Sequence, residues 1–191
     1  MQHTTNTKNH NLWYQSSYDR GLEFLLDMWP NIKKHFPDAK LSVTYGWNTF
    51  DRFFRDNPER MMWKTRMEKK LRQDGVTDYG RVGKTKLREL RSLCGIWAYP
   101  TTFPEINCIS ALESQFDYLV PVTMNFAALK ETVGSGSKVD GDIYDDEVKE
   151  TWLMELFKWM DYKGTEEQEK AHNFAKDYSW DKISDLWLKE I

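Results

Sequence analysis

Apolar positions along the chain change period in a regular alternation. Leu12 to Ser16 forms a short β-like run, which Ser17-Tyr18-Asp19 breaks. From Arg20-Gly21 onward Leu22, Leu25, Leu26, Trp29, Ile32 and Phe36 fall at helical spacing until Pro37-Asp38. Lys40 to Trp47 alternates and is rich in β-formers, so it predicts a second strand that stops near Gly46. A charged segment from Thr49 to Gln73 carries the stripe Phe50, Phe53, Phe54, Met62, Met67 and Leu71, helical with an interruption at Asn57-Pro58. The rhythm then repeats: strand Val76 to Val82, helix with Leu87, Leu90 and Leu93, strand Gly95 to Pro100, helix Asn107 to Phe116, strand Tyr118 to Met124, helix Phe126 to Thr132. Near-continuous apolar strands such as Ile96 to Tyr99 are those expected where helices cover both faces of a parallel sheet. The alternation predicts an α/β fold, a doubly wound parallel Rossmann-like sheet with right-handed crossovers.

Past Val133 the pattern changes. Gly134-Ser135-Gly136-Ser137 predicts a flexible loop, and three extra C-terminal helices follow at about 145–160, 166–178 and 180–191. Val148, Trp152, Leu156, Ile183, Leu186 and Trp187 are expected to pack on the sheet; exposure of these side chains would mark a partner surface instead. Residues 1–10 are polar and expected to be disordered, which leaves 11–191 as one domain.

Composition narrows the function classes. The chain has 191 residues, 30% of them charged, and a net charge of −3. That charge does not suggest a nucleic-acid binder. Its distribution is uneven, with 13 Lys and Arg against 6 Asp and Glu over residues 52–91 and the reverse excess over 139–191. Opposite solvated helix faces are the plainer account of this, and a functional basic patch is the alternative. No run of about 18 apolar residues occurs, so neither a transmembrane segment nor a secretory signal is predicted and the cytoplasm is the default compartment. Cys94 and Cys108 sit in apolar segments as buried thiols. His3, His10, His35 and His172 lack ligand spacing, so no metal site and no cofactor are expected.

Two places could carry chemistry. The first is Phe103-Pro104-Glu105-Ile106-Asn107-Cys108-Ile109-Ser110-Ala111-Leu112-Glu113, a strand-to-helix junction with two carboxylates roughly 10 Å apart along one wall. Between them the amides of Asn107, Cys108, Ile109 and Ser110 open a helix N-terminus, where an anion such as a diphosphate is favoured. Glu113 could accept from ribose hydroxyls and Glu105 from hexose hydroxyls. A charge in the first helical turn and a solvated helix residue are the plainer account of the same pair. The second place is Ser16-Ser17-Tyr18-Asp19-Arg20-Gly21 at the first strand-to-helix turn, where Arg20 offers a permanent cation and Gly21 a close backbone approach. Asp19 as a helix cap with Arg20 in solvent is the alternative there.

Together, Arg20-Gly21-Leu22-Glu23 with Leu25-Leu26, Lys40-Leu41 with Val43 and Tyr45-Gly46-Trp47, Tyr99-Pro100-Thr101-Thr102-Phe103-Pro104-Glu105, the Glu105 and Glu113 spacing, and Pro121-Val122 followed by Ala127-Ala128-Leu129-Lys130-Glu131-Thr132-Val133 resemble a known family. It is the C-terminal, donor-binding domain of the retaining GT-B glycosyltransferases called group 1, over roughly residues 11–135. The resemblance implies a metal-independent site for a nucleoside-diphosphate sugar, with Glu105 on the transferred sugar and the amides around Ile109 and Ser110 on the diphosphate. It further implies Glu113 on the ribose, Arg20 on the diphosphate as a catalytic cation, and the backbone of Arg81 and Val82 against the base. It also implies an N-terminal acceptor-binding domain or separate chain, which these residues do not supply. One departure stands out: a second basic residue, common in a Gly-Arg pair of the family, is replaced by Gln15-Ser16-Ser17, whose hydroxyls could stand in as neutral donors. A nucleotide-binding or regulatory module without transferase activity is the alternative. Glycoside hydrolysis by Glu105 and Glu113 suits the spacing poorly, since both carboxylates lie on one wall.

Overall fold

The computed structural model describes residues 7–190. Six parallel strands form its centre: β1 (Asn11–Gln15), β2 (Lys40–Thr44), β3 (Val76–Asp78), β4 (Ile96–Tyr99), β5 (Val120–Met124) and β6 (Ser137–Val139). They pair in the order β3-β2-β1-β4-β5-β6, with Trp13 of β1 opposite Ser42 on one side and Trp97 on the other. The chain winds outward from β1 to β3 and returns to lay β4 beside β1. That reversal opens a crevice at the carboxyl ends of β1 and β4, the place where open α/β sheets bind ligands. The fold class expected from the apolar rhythm is the one observed.

The connections are α1 (Leu22–His35), α2 (Asn48–Phe54), α3 (Pro58–Lys70), α4 (Lys84–Arg91), α5 (Ile109–Phe116) and α6 (Leu129–Thr132). Three more helices, α7 (Asp146–Asp161), α8 (Glu166–Lys176) and α9 (Trp180–Glu190), close the chain. No helix among the described residues is long and apolar enough to cross a membrane. Trp13, Tyr14, Trp97 and Tyr99 are wholly buried in the two central strands, and Leu22, Leu25, Leu26, Trp29 and Ile32 of α1 are buried in the same core. Helix α1 contains Pro30, which has no N–H for the Leu26 carbonyl one turn back. The Gln73 side chain donates to that carbonyl at 2.9 Å, so the helix passes through the proline with its acceptor satisfied.

Several expectations are corrected by packing. The predicted Phe50-to-Leu71 stripe is not one face: Asn57 caps α3 afresh and turns it away from α2, so Phe50, Met67 and Leu71 are buried whereas Phe53 is 71% exposed and Met62 is exposed. Helix α4 ends at Arg91, which leaves Leu93 in solvent. The predicted flexible segment 134–137 is fixed and leads into β6. Gly136 has φ +71°, and a side chain there would stand 2.0 Å from the Pro121 carbonyl oxygen. Ser137 is buried because its hydroxyl bonds Glu155 and accepts from Trp159 Nε1 at 2.7 Å.

At the chain ends, residues 1–6 lie outside the described residues. Thr7–His10, expected to be disordered, form a 3₁₀ turn. Asn9 is wholly buried and its amide donates to the carbonyls of Trp159 and Tyr162 at 3.0 and 2.9 Å. In the terminal helices Trp152 and Leu156 are core residues and Val148 packs against them. The same expectation does not hold for α9: Trp187 is 72% exposed, Trp180 and Leu188 are exposed with it, and Ile183 is half-buried. The side chain of Leu186 lies outside the described residues.

Candidate functional site

The carboxyl ends of β1 and β4 bring the two sequence-predicted places together. After β1 the chain turns through Ser16 to Gly21, held by the Tyr14 hydroxyl, which reaches the carbonyls of Ser17 and Arg20 at 2.9 and 3.1 Å. Gly21 has φ +102°, and a Cβ there would lie 2.3 Å from the Pro100 carbonyl oxygen. The turn after β1 therefore rests backbone to backbone on the turn after β4. Its close approach is to the protein itself, and it sets Arg20 beside Glu105.

Arg20 Nη1 stands 3.3 and 3.4 Å from the two Glu105 carboxylate oxygens, and its guanidinium lies 3.7 Å over the Phe103 ring. The Tyr99 hydroxyl donates to Glu105 Oε1 at 2.7 Å and in turn accepts from Ser16 at 3.1 Å. Burial pushes the Tyr99 phenol up, so it stays a donor to the carboxylate. The Glu105 carbonyl accepts from the Ala128 amide at 3.1 Å, which fixes this loop to the turn after β5. Glu105 is thus a mostly buried carboxylate with one oxygen held by a phenol and both facing a cation. Asp19 is not the helix cap. It pairs with Arg60 at 2.6 Å and accepts from Ser17 at 2.7 Å. The Ser16 and Ser17 hydroxyls both have protein partners, and Arg60 brings a second guanidinium to the same turn.

Helix α5 begins two residues later than its sequence suggested, so Glu113 sits at the start of its second turn. Ile109 N donates to the Asn107 carbonyl at 3.2 Å and is not free. Among the described residues the amides of Asn107, Cys108 and Ser110 have no backbone acceptor, and no side chain caps the helix. Cys108 is buried, with its sulfur 3.4 Å from the Ser110 hydroxyl, and burial pushes its thiol up. Glu113 accepts from Gln15 Nε2 at 3.0 Å and from Arg91 Nη1 at 2.9 Å. Each of the two carboxylates therefore meets a guanidinium.

Arg81 and Val82 follow β3, whose end is tied to β2 by Tyr45 N donating to the Gly80 carbonyl at 2.9 Å. Tyr18, buried in the turn after β1, reaches the same region: it donates to Asp78 and accepts from the Gly46 amide at 3.1 Å. Burial, then Asp78, pushes its phenol up. Arg81 is exposed and Val82 is half-buried against the core. On the α2 side of Arg20 lies a cleft of about 250 Å³ lined by Tyr45, Phe50, Phe53, Phe54 and Phe103. Gln15, Arg91, Tyr99 and Phe103 are site residues that the sequence did not assign. Tyr99 and Phe103 lay within a quoted motif, but nothing in spacing pairs Arg91 with Glu113 from a different helix.

No family model matches the sequence, and no curated protein matches it. Solved structures do. The chain superposes on a chain of the GtfA/B complex with a TM-score of 0.74 at 11% identity, covering 95% of this chain and 35% of that one. The pneumococcal O-GlcNAc transferase GtfA in complex with UDP and GlcNAc gives 0.69 at 13% identity, over 96% of this chain and 35% of that one. HepE from Anabaena in complex with UDP-glucose gives 0.68 at 14% identity, over 96% and 49%. The chain thus spans between a third and a half of the structures it matches, and the shared property at these identities is the fold: the Rossmann-like α/β unit found in GT-B glycosyltransferase structures.

Proposed function

We propose that this chain is the donor-binding half of a retaining GT-B glycosyltransferase of the group 1 kind, taking a nucleoside-diphosphate sugar in the cytoplasm without a metal ion. The observation that carries the reading is the meeting of Arg20 and Glu105 at the β1 and β4 crevice, with the open α5 amides and Glu113 on its α5 side. In this reading Arg20 and the amides of Cys108 and Ser110 hold the diphosphate, Glu105 the transferred sugar, Glu113 the ribose, and the backbone at Arg81 and Val82 the base. Donors fixed before the reaction stabilise leaving-group charge as it develops, without reorganising. The solved structures with UDP and UDP-glucose support the ligand class.

The acceptor half is a further domain or a separate chain. The exposed Trp180, Trp187 and Leu188 of α9 support that reading, since they offer an apolar surface that the described fold leaves uncovered. Calorimetry with UDP in the presence of a chelator tests the donor site. Binding is expected, with Arg20→Ala weakening it by about 1.5–3 kcal/mol, the worth of a hydrogen bond to a charged group. Binding that appears only after magnesium or manganese is added would overturn the metal-free site. No glycosyl transfer on addition of an acceptor half, with UDP still bound, would favour the regulatory module.

A further inference from the structure

Glu113 is not free to turn. Its Oε2 accepts from Gln15 Nε2 at 3.0 Å and from Arg91 Nη1 at 2.9 Å, while among the described residues its Oε1 has no partner. The Glu113 side chain is 42% exposed, which leaves room for a ligand to meet that oxygen. Gln15 is oriented in turn: its Oε1 accepts from Arg91 Nη1 at 2.8 Å and from Trp13 Nε1 at 3.2 Å, so only its amide nitrogen is left to face Glu113. Arg91 is buried, and its Nε and Nη2 both hold Asp117 Oδ2 at 2.8 Å. A clamp on α4 and β1 therefore presets one oxygen of a carboxylate on α5 and leaves the other as an acceptor of fixed direction.

We infer that Gln15 and Arg91 are positioning residues that aim the free oxygen of Glu113 at the donor's ribose hydroxyls and thereby select ribose over 2′-deoxyribose; the inference rests on the donor-site reading above. An oxygen aimed at a hydroxyl loses that partner when the hydroxyl is missing, and the bond lost is a hydrogen bond to a charged group, worth more than a neutral one. An untethered Glu113 would instead swing to whichever hydroxyl or water was near and discriminate little. A clamp that merely joined α4 to α5 would, when cut, weaken both nucleotides alike.

The experiment is calorimetry of the whole chain with UDP and with 2′-deoxy-UDP. The expected preference of the wild type for UDP is about tenfold or more, the scale of one hydrogen bond to a charged group. Gln15→Met, and Arg91→Met combined with Asp117→Leu so that no carboxylate is left buried alone, should lower that preference at least about threefold, chiefly by weakening UDP. Glu113→Gln should show a reduced preference even with the clamp intact. Gln15→Met leaves the Arg91 to Asp117 pair in place and decides the question if the double variant does not fold. Equal weakening of both nucleotides, or an unchanged preference in folded variants, would overturn the inference while leaving the donor site standing. A wild type that binds UDP without preferring it would do the same, and one that binds neither would overturn both readings.

Discussion

Gly21→Ala should disturb the fold and the crevice together. The glycine has φ +102°, and the added Cβ would lie 2.3 Å from the Pro100 carbonyl oxygen, 2.8 Å from its carbon and 2.9 Å from Thr101 Cα. All three are backbone atoms, so no side chain can swing aside. A left-handed conformation costs an L-residue roughly 1–2 kcal/mol, and relieving an overpacked contact costs roughly 1–3 kcal/mol more. The sum, about 2–5 kcal/mol, is a large part of the stability of about 5–15 kcal/mol usual for a domain. For a chain of this size it corresponds to a fall in Tm of roughly 4–20 °C. Because the strain is relieved by parting the turns after β1 and β4, Arg20 should also move from Glu105. Urea denaturation followed by tryptophan fluorescence reads the first effect and UDP calorimetry the second. A variant within about 0.5 kcal/mol of the wild type, the range of an ordinary surface change, would show that the backbone contact at Gly21 does not hold the crevice.

Two further perturbations follow from single contacts. Gln73→Ala should cost about 1 kcal/mol in urea denaturation, because the Leu26 carbonyl that Pro30 leaves open loses its donor; in a Pro30→Ala background, where the helix supplies its own N–H, the same substitution should cost clearly less, and equal costs in both backgrounds would refute the assignment. Burial pushes the Cys94 thiol from 9.0 up to about 12, so the folded state keeps the proton that the unfolded chain releases. The resulting stability is complete below pH 9 and falls as pH rises toward 12. Between pH 7 and pH 10 the loss is about 1 kcal/mol, and Cys94→Ala should lack this component when the two proteins are compared by denaturation at both pH values.

The sheet was legible because its strands are short apolar runs set off by Gly, Pro and Asp, and the helices between them carry clean apolar stripes. β6 escaped detection because its buried first residue is Ser137, made compatible with the interior by hydrogen bonds to Glu155 and Trp159 rather than by being apolar. The stripe after β2 misled for the converse reason: a break in the helix at Asn57 changes direction, and periodicity counted across it has no geometric meaning. Arg20 and Glu105 were predictable as neighbours, since parallel strands place every turn after a strand on one edge. Topology put both turns on one edge, and the contact of Gly21 with Pro100 then sets the two side chains together. The Arg91, Gln15 and Glu113 clamp and the Arg60 to Asp19 pair join residues on different elements with no local sequence relation, and only the side chains that reach from α4 to α5 and from α3 to the β1 turn reveal them.

The form of the Arg20 and Glu105 contact bears on how such a crevice could accept an anion. At 3.3 and 3.4 Å it is longer than the 2.7–2.9 Å or so of a strong charge-assisted hydrogen bond. Neither partner depends on the other for its position: Arg20 is stacked on Phe103, and Glu105 is held by the Tyr99 hydroxyl and by its own backbone at Ala128. A cation anchored through its face keeps its donors available at the edge, and a carboxylate anchored at one oxygen keeps lone pairs on the other. An arriving diphosphate could therefore take the Arg20 donors while sugar hydroxyls replaced them on Glu105, each charged group exchanging one partner and neither being left bare in a partly buried site. Two isolated charges brought together only by the ligand would have to be ordered on binding. A tight, fully buried pair would have to be broken. Under the proposed function, the loose, separately supported pair would avoid both costs.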